Sequence, residues 1–316
     1  MGIKVFVDGQ EGTTGLQIHE LLARRSDVEV LRIAPELRKD GSERARLLNA
    51  SDVAFLCLPD AAAREAVALV SNSHTCVIDA STAHRIDPAW VFGLPELARD
   101  QRDRLRDSKR ISNPGCHSTA FILLVRPLVD AGLLDVDARL TATSITGFSG
   151  GGRKMIEQYQ TQPLAQRLAS PRPYGLALTH KHVPEMQVHS GLHGRPIFMP
   201  IVGNFYKGLM VSVPLHHSTL KRPVDPRQLY DELRQRYAGD RFDKVMPFAD
   251  LSVLDNGYFD VQACNDTNRC ELFVFASGDQ AILVARLDNL GKGASGAAVQ
   301  SMNVHLGLDE GLGLMS

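Results

Sequence analysis

Ile3-Lys4-Val5-Phe6-Val7-Asp8-Gly9-Gln10-Glu11-Gly12-Thr13-Thr14-Gly15 is the stretch that decides the fold. Its first six residues form an apolar run that reads as a buried strand. The glycine triplet reads as a tight turn, and residues 16–23 follow with the periodicity of an amphipathic helix. Strand, glycine turn and helix in that order open a dinucleotide-binding unit. There the glycines let backbone N–H groups approach a pyrophosphate at the helix N-terminus. The spacing is G-x-x-G-x-x-G rather than the commoner G-x-G-x-x-G, and a glycine triplet also fits a nucleotide-free α/β turn. Its position directly after the first strand favours the dinucleotide.

Working outward, further strands are expected at residues 28–33, 53–58 and 75–79, with a helix at 60–70. Alternating strand and helix argue for a Rossmann-type, doubly wound parallel sheet. Leu58-Pro59-Asp60 and Asp79-Ala80-Ser81 end their strands, where such sheets place ligand contacts. After the second strand, Glu36 suits a ribose of NAD, whereas Arg38 and Lys39 suit the 2′-phosphate of NADP. A solvated loop also fits all three.

The later half changes character. Strands are expected at 140–146, 197–202, 208–214, 253–261, 271–275 and 281–287, with a helix at 226–237. This is an α+β pattern with a mixed, mostly antiparallel sheet. A small-residue helix opens at Gly293-Ala294-Ser295-Gly296 and is suited to packing closely on the first domain or a cofactor. The expected domains are 1–113 with 289–316, and 114–288.

Composition narrows the class of protein. At 316 residues, two domains are the better prior. A formal net charge of −1 gives no basic surplus for nucleic acid. No run of about eighteen apolar residues suggests a membrane span. The N-terminus runs straight into a strand rather than a signal peptide. Five cysteines at scattered spacings suit a reducing cytoplasm better than a disulfide framework. Cys264 and Cys270 are the only close pair, and no second pair completes a zinc site.

Two segments carry chemistry. Asn113-Pro114-Gly115-Cys116-His117 puts one cysteine at a sharp turn before the apolar run Phe121-Ile122-Leu123-Leu124-Val125. Proline and glycine shape the turn, and a helix N-terminus at Cys116 favours thiolate over thiol. A buried structural cysteine is the alternative. Thr179-His180-Lys181-His182-Val183-Pro184-Glu185 offers a base and an acid for such a nucleophile, with Glu185 orienting an imidazole or binding a cationic part of the substrate. His-x-His with a carboxylate also fits a metal site or two structural histidines. Between these segments, Gly147-Phe148-Ser149-Gly150-Gly151-Gly152-Arg153-Lys154 sets glycine N–H groups beside two cations. It suits an anionic group or a plain surface loop.

Gly9-x-x-Gly12-x-x-Gly15, Ser112-Asn113-Pro114-Gly115-Cys116, Gly150-Gly151-Gly152-Arg153 and His180-Lys181-His182-Val183-Pro184-Glu185 together resemble the N-acetyl-γ-glutamyl-phosphate reductase family. That family sits among the aspartate-semialdehyde and glyceraldehyde-3-phosphate dehydrogenases. The likeness runs over essentially the whole chain, ending with Lys292-Gly293-Ala294-x-Gly296-Ala297-Ala298-x-Gln300, and its length is that of the family's shorter form. Gln10-Glu11 depart from the small residues usual in the longer form, which bears on the pyrophosphate contacts.

The resemblance implies NADPH-dependent reduction of N-acetyl-L-glutamyl 5-phosphate through a thioester on Cys116, in cytoplasmic arginine biosynthesis. A relative acting on aspartyl or aminoadipyl phosphate is the alternative. The resemblance also implies catalytic roles for Cys116, His180, Glu185 and Tyr174, and no metal. Asn113, Ser149, Gly150, Arg153 and Lys154 are the expected substrate contacts. Gly9, Gly12, Thr13, Thr14, Gly15, Arg38, Lys39, Pro59, Ser81 and Asn289 are the expected cofactor contacts. A homodimer or homotetramer is expected, with no nucleic-acid or membrane partner.

Overall fold

Alternate residues of β1 (Ile3–Asp8) enter two different cores. Val5 and Val7 pack with Ile18, Leu22, Val53, Phe55, Ile78, Ala298, Val299 and Met302, whereas Phe6 packs with Leu48, Ala54, Leu56, Val77 and Trp90. Burial on both faces needs apolar residues at consecutive positions, as Val5-Phe6-Val7 supply. The computed structural model describes residues 2–10, 12–216, 220 and 224–316, so Glu11 of the glycine turn lies outside the described residues.

The chain divides into two units, one made of residues up to Gly115 with 294–315 and the other of residues 116–293. Pro114 and Gly115 therefore belong with the first unit, and Asn289 with the second.

The first unit holds β1, α1 (Thr13–Ala23), β2 (Val28–Leu31), α2 (Gly41–Ala50), β3 (Val53–Leu56), α3 (Asp60–Ala68), β4 (Cys76–Asp79), β5 (Val91–Phe92), α4 (Gln101–Asp107), β6 (Arg110–Ser112) and, from the far end of the chain, α9 (Gly296–His305). Its six strands run in the order β2-β1-β3-β4-β6-β5, and every pairing is parallel. The sheet is the expected Rossmann-type one. Buried polar groups also hold α9 there. Asn303 accepts from Arg25 Nη1 at 2.6 Å and donates to the carbonyls of Glu310 and Leu312. Gln300 Nε2 donates to the Glu96 carboxylate at 2.6 Å.

The second unit carries α5 (Cys116–Asp130), β7 (Thr141–Gly147), α6 (Arg153–Gln160), β8 (Arg172–Pro173), α7 (Val183–Ser190), β9 (Ile197–Gly203), β10 (Leu209–His216), α8 (Pro226–Arg236), β11 (Asp243–Val245), β12 (Cys270–Ser277) and β13 (Gln280–Leu287). The sheet order is β11-β12-β13-β10-β7-β9-β8, with β11·β12 and β7·β9 parallel and the other pairs antiparallel. Helix α5, buried almost throughout, packs on β10 and β13 and against α7 and α8.

One expected strand is absent. Residues 253–261 turn rather than extend, because Asn256 and Gly257 take positive φ (48° and 87°) and close a two-residue loop. Asp255 and Tyr258 exchange both backbone hydrogen bonds across it. An Asn-Gly pair inside an apolar stretch is a turn signal that outweighs the surrounding hydrophobicity.

Candidate active site

Cys116 is the first residue of α5, and it differs from the other four thiols. Cys76, Cys264 and Cys270 are buried, Cys116 and Cys57 only partly so. Burial pushes the Cys57 and Cys76 thiols up to about 12 and that of Cys264 to about 11, which keeps them protonated and inert. Cys116 instead is the first residue of a helix, where the positive end of the helix dipole favours a negative sulfur. Behind it lies Gly293, where a Cβ would stand only 2.7 Å from Cys116 Cβ.

The next residue, His117, anchors a group of imidazoles. Its ring centroid lies 5.6 Å from that of His180, 5.3 Å from that of His182 and 5.2 Å from that of Phe198. His180 and His182 meet edge-on at 4.8 Å, and Tyr174 meets His180 at 5.6 Å. Hydrogen bonds assign the His117 proton. Ser144 Oγ donates its one hydrogen to Met210 O at 2.7 Å, so it accepts from His117 Nδ1 at 2.8 Å. The lone pair is thereby left on Nε2, which accepts from the Tyr174 hydroxyl at 3.1 Å. Burial lowers the His117 pKa to about 3, so this imidazole stays neutral. Burial likewise raises the Tyr174 phenol, and the negative charge of Cys116 adds to the effect, so Tyr174 keeps its proton.

His180 Nδ1 accepts from the His182 backbone N–H at 3.2 Å, which leaves the neutral ring its proton on Nε2. Glu185, buried to 1% exposure, has Oε1 3.9 Å from Nε2 of His182. A buried carboxylate therefore stands beside His182. The metal reading also shifts. The donor atoms of Cys116, His117 and His182 lie within 4.8 Å of one another, whereas the sequence pointed to His180 with His182.

The sequence missed His117, Ser144 and Gly293. His117 follows the nucleophile directly and was the one detectable signal. Ser144 shows only as a polar residue on an alternating strand, and Gly293 as part of a small-residue run.

The glycine-rich segment divides. Ser149 is buried, its N–H bonded to Tyr206 O, and its hydroxyl accepts from Asn289 Nδ2 at 3.0 Å. Asn289 Oδ1 in turn accepts from Gly208 N at 2.8 Å. A Cβ on Gly150 would stand 3.6 Å from Asn289 Nδ2, so Ser149, Gly150 and Asn289 are neighbours. Arg153 and Lys154 are exposed at the start of α6, where Arg153 Nε pairs with Glu157 at 2.8 Å.

In the first unit, the glycine turn has the form a pyrophosphate cradle requires. Gly9 has φ +92°, and a Cβ there would meet Cys57 O at 2.3 Å; one on Gly15 would meet Gly9 O at 2.4 Å. Gly12 caps α1 with no side chain, so among the described residues no side chain caps its first turn, and the N–H groups of Thr13, Thr14 and Gly15 face the end of the helix where an anion binds. Pro59 is the N-cap residue of α3. Ser81 is fixed by Asp79, whose carboxylate accepts from the Ser81 N–H and hydroxyl and lies 2.6 Å from His84 Nδ1. Arg38 is half-buried, and Lys39 and Glu36 are exposed around the turn Pro35–Leu37. Asn113 is buried and donates to Ala294 O at 2.9 Å, while its Oδ1 has no hydrogen-bond partner among the described residues.

Comparison with known proteins fits this picture. The semialdehyde dehydrogenase NAD binding domain model matches residues 4–105, and the semialdehyde dehydrogenase dimerisation domain model matches residues 116–289. N-acetyl-gamma-glutamyl-phosphate reductase 2 of Nostoc sp. is 48% identical over 318 residues, covering 98% of this chain and 99% of the relative. N-acetyl-gamma-glutamyl-phosphate reductase 2 of Pseudomonas putida is 47% identical, with 96% of each chain covered. The crystal structure of aspartate semialdehyde dehydrogenase II from Vibrio cholerae, complexed with ASA, superposes with a TM-score of 0.73 at 18% identity. It covers 97% of this chain and 98% of that one, a likeness of fold. On these matches, the chain belongs to the semialdehyde dehydrogenase family, in its N-acetyl-γ-glutamyl-phosphate reductase branch.

Proposed function

We propose that this chain reduces N-acetyl-L-glutamyl 5-phosphate to the 5-semialdehyde, releasing phosphate and using NADPH, as a step of arginine biosynthesis in the cytoplasm. The observation that carries the reading is Cys116. It is a partly exposed thiol at a helix N-terminus beside a fixed set of imidazoles, in a chain nearly half identical to named reductases.

Cys116 thiolate adds to the acyl carbon, and the C–O bond to phosphate breaks, leaving a thioester. NADPH, when bound, supplies the hydride that takes the thioester to the aldehyde level. His180 carries its proton on Nε2 and gives it to the oxygen that becomes negative. Taking that proton back lets the thiohemiacetal collapse and frees the Cys116 thiolate. Tyr174, hydrogen-bonded to His117 Nε2, holds the wall of the site, and Glu185 steadies His182. Asn113, Ser149 and Gly150 line the substrate side in this reading, with Arg153 and Lys154 as the phosphate cations. The cradle of Gly9, Gly12 and Gly15 with Thr13 and Thr14 would hold the pyrophosphate. Pro59, Ser81 and Asn289 would contact the rest of the cofactor, and Arg38 with Lys39 its 2′-phosphate.

The second-unit sheet leaves Ile197, Met199 and Ile282 exposed at 55%, 38% and 46%. We assign this face to association into a homodimer or homotetramer, in keeping with a match described as a dimerisation domain.

Phosphate-dependent reduction of NADP⁺ by N-acetyl-glutamate semialdehyde tests the reading, with NAD⁺ and aspartate semialdehyde as controls. Activity confined to the acetylated aldehyde and NADP⁺, and lost in Cys116→Ser, is expected. Equal activity on aspartate semialdehyde would move the chain to the aspartyl phosphate alternative. Light scattering that found only monomer would refute the assembly.

A further inference from the structure

The group formed by Cys116, His117 and His182 does more than surround a nucleophile. Its donor atoms lie within 4.8 Å of one another, and each ligand type suits one class of ion. A thiolate with two imidazoles selects a soft or borderline divalent cation and disfavours magnesium or calcium, which want oxygen. Tetrahedral zinc, with bonds of about 2.0–2.3 Å, sets its ligands roughly 3.5 Å apart. Side-chain rotations on the order of an ångström would therefore complete the site.

The supporting contacts match a metal centre. A ligating histidine commonly donates its other ring N–H to an oxygen, which fixes the tautomer. His117 does this already, Nδ1–H to Ser144 Oγ, leaving an Nε2 lone pair. His182 has a buried carboxylate, Glu185, 3.9 Å from its Nε2. Water, or the Tyr174 hydroxyl that now reaches His117 Nε2, would fill the fourth position.

We infer that Cys116 Sγ, His117 Nε2 and an imidazole nitrogen of His182 form a zinc-class site that reversibly masks the nucleophile. Binding forms three metal–ligand bonds, from the Cys116 thiolate and two imidazole nitrogens, and the water they displace from zinc goes to solvent. Zinc is then a brake rather than a cofactor. The binding stands on the three ligands alone; only its effect on turnover rests on the proposed reductase reading.

The test uses the full chain without substrate. Iodoacetamide labelling of Cys116, followed by peptide mass spectrometry, should slow at least tenfold when one equivalent of zinc is added, and EDTA should restore it. Cobalt(II) should give a thiolate-to-metal charge-transfer band that zinc removes. His182→Asn should weaken zinc binding tenfold or more, with its circular dichroism unchanged. Cys116→Ser should lose the charge-transfer band. Unchanged labelling of wild type in the presence of zinc would overturn the inference, whether or not the variants fold. So would equal zinc affinity in His182→Asn. Neither readout involves turnover, so failure of the reductase assay would not be mistaken for failure of the site.

Discussion

Gly293→Ala tests the site at its least conspicuous point. The added methyl would stand 2.7 Å from Cys116 Cβ, 3.2 Å from Cys116 Cα and 3.2 Å from Asp288 O, and ordinary contacts begin at 3.4 Å. Gly293 N–H also bonds to Asp288 O at 3.0 Å, so the loop has little freedom to retreat. The two segments must part by about 0.7 Å, the difference between 3.4 and 2.7 Å. A misplacement of about 1 Å at reacting atoms costs roughly 10²-fold. A kcat 10- to 100-fold lower is therefore expected. Overpacking of this kind also costs about 1–3 kcal/mol, or roughly 2–10 °C in melting temperature for a unit of this size. Steady-state kinetics and thermal melting would be read together, with Gly41→Ala, which meets nothing within 4 Å, as the control expected to change neither. A Gly293→Ala protein with wild-type kcat and melting temperature would show that Cys116 is not held where the structure holds it.

Three further outcomes follow from other contacts. Asn289→Ala strips hydrogen-bond partners from the Gly208 N–H and the Ser149 hydroxyl, both buried. Each unsatisfied group costs about 1–3 kcal/mol, so chemical denaturation should show a loss of at least about 2 kcal/mol, and an unchanged midpoint would refute the pairing. Gly15→Ala drives a methyl to 2.4 Å from Gly9 O and distorts the glycine turn. NADPH affinity, measured by fluorescence titration, should fall tenfold or more while Cys116 labelling by iodoacetamide is unaffected.

The remaining prediction concerns acid. Burial lowers the His305 pKa; its ring lies 3.1 Å from Leu105 O through Nδ1 and 3.4 Å from Lys109 Nζ through Nε2. A histidine depressed in the folded state contributes stability that is present above its unfolded pKa. That contribution is lost as pH falls, since the unfolded chain then takes up a proton the folded one refuses. Denaturation midpoints below the ordinary histidine pKa should therefore drop less steeply in His305→Gln than in wild type. Parallel pH profiles would show that His305 does not carry this dependence.

Local sequence determined the parts of this protein that depend on a few neighbouring residues. The run from Ile3 to Asp8, the glycines after it and the Asn113-Pro114-Gly115-Cys116 turn restrict backbone dihedrals and side-chain periodicity within a dozen positions, and those restrictions survive into the fold. The same reasoning failed at 253–261, where apolar content suggested a strand and Asn256-Gly257 bent the chain into a turn. Tertiary structure alone decided which partners met. The proton on His117 is set by Ser144, which is set by Met210 across two strands of the second sheet. Asn289 finds Ser149 and Gly208, Gly293 lies against Cys116, and Glu185 approaches His182. Such contacts join residues far apart in the chain, and their geometry comes from strand order and helix packing, which no short window of sequence encodes.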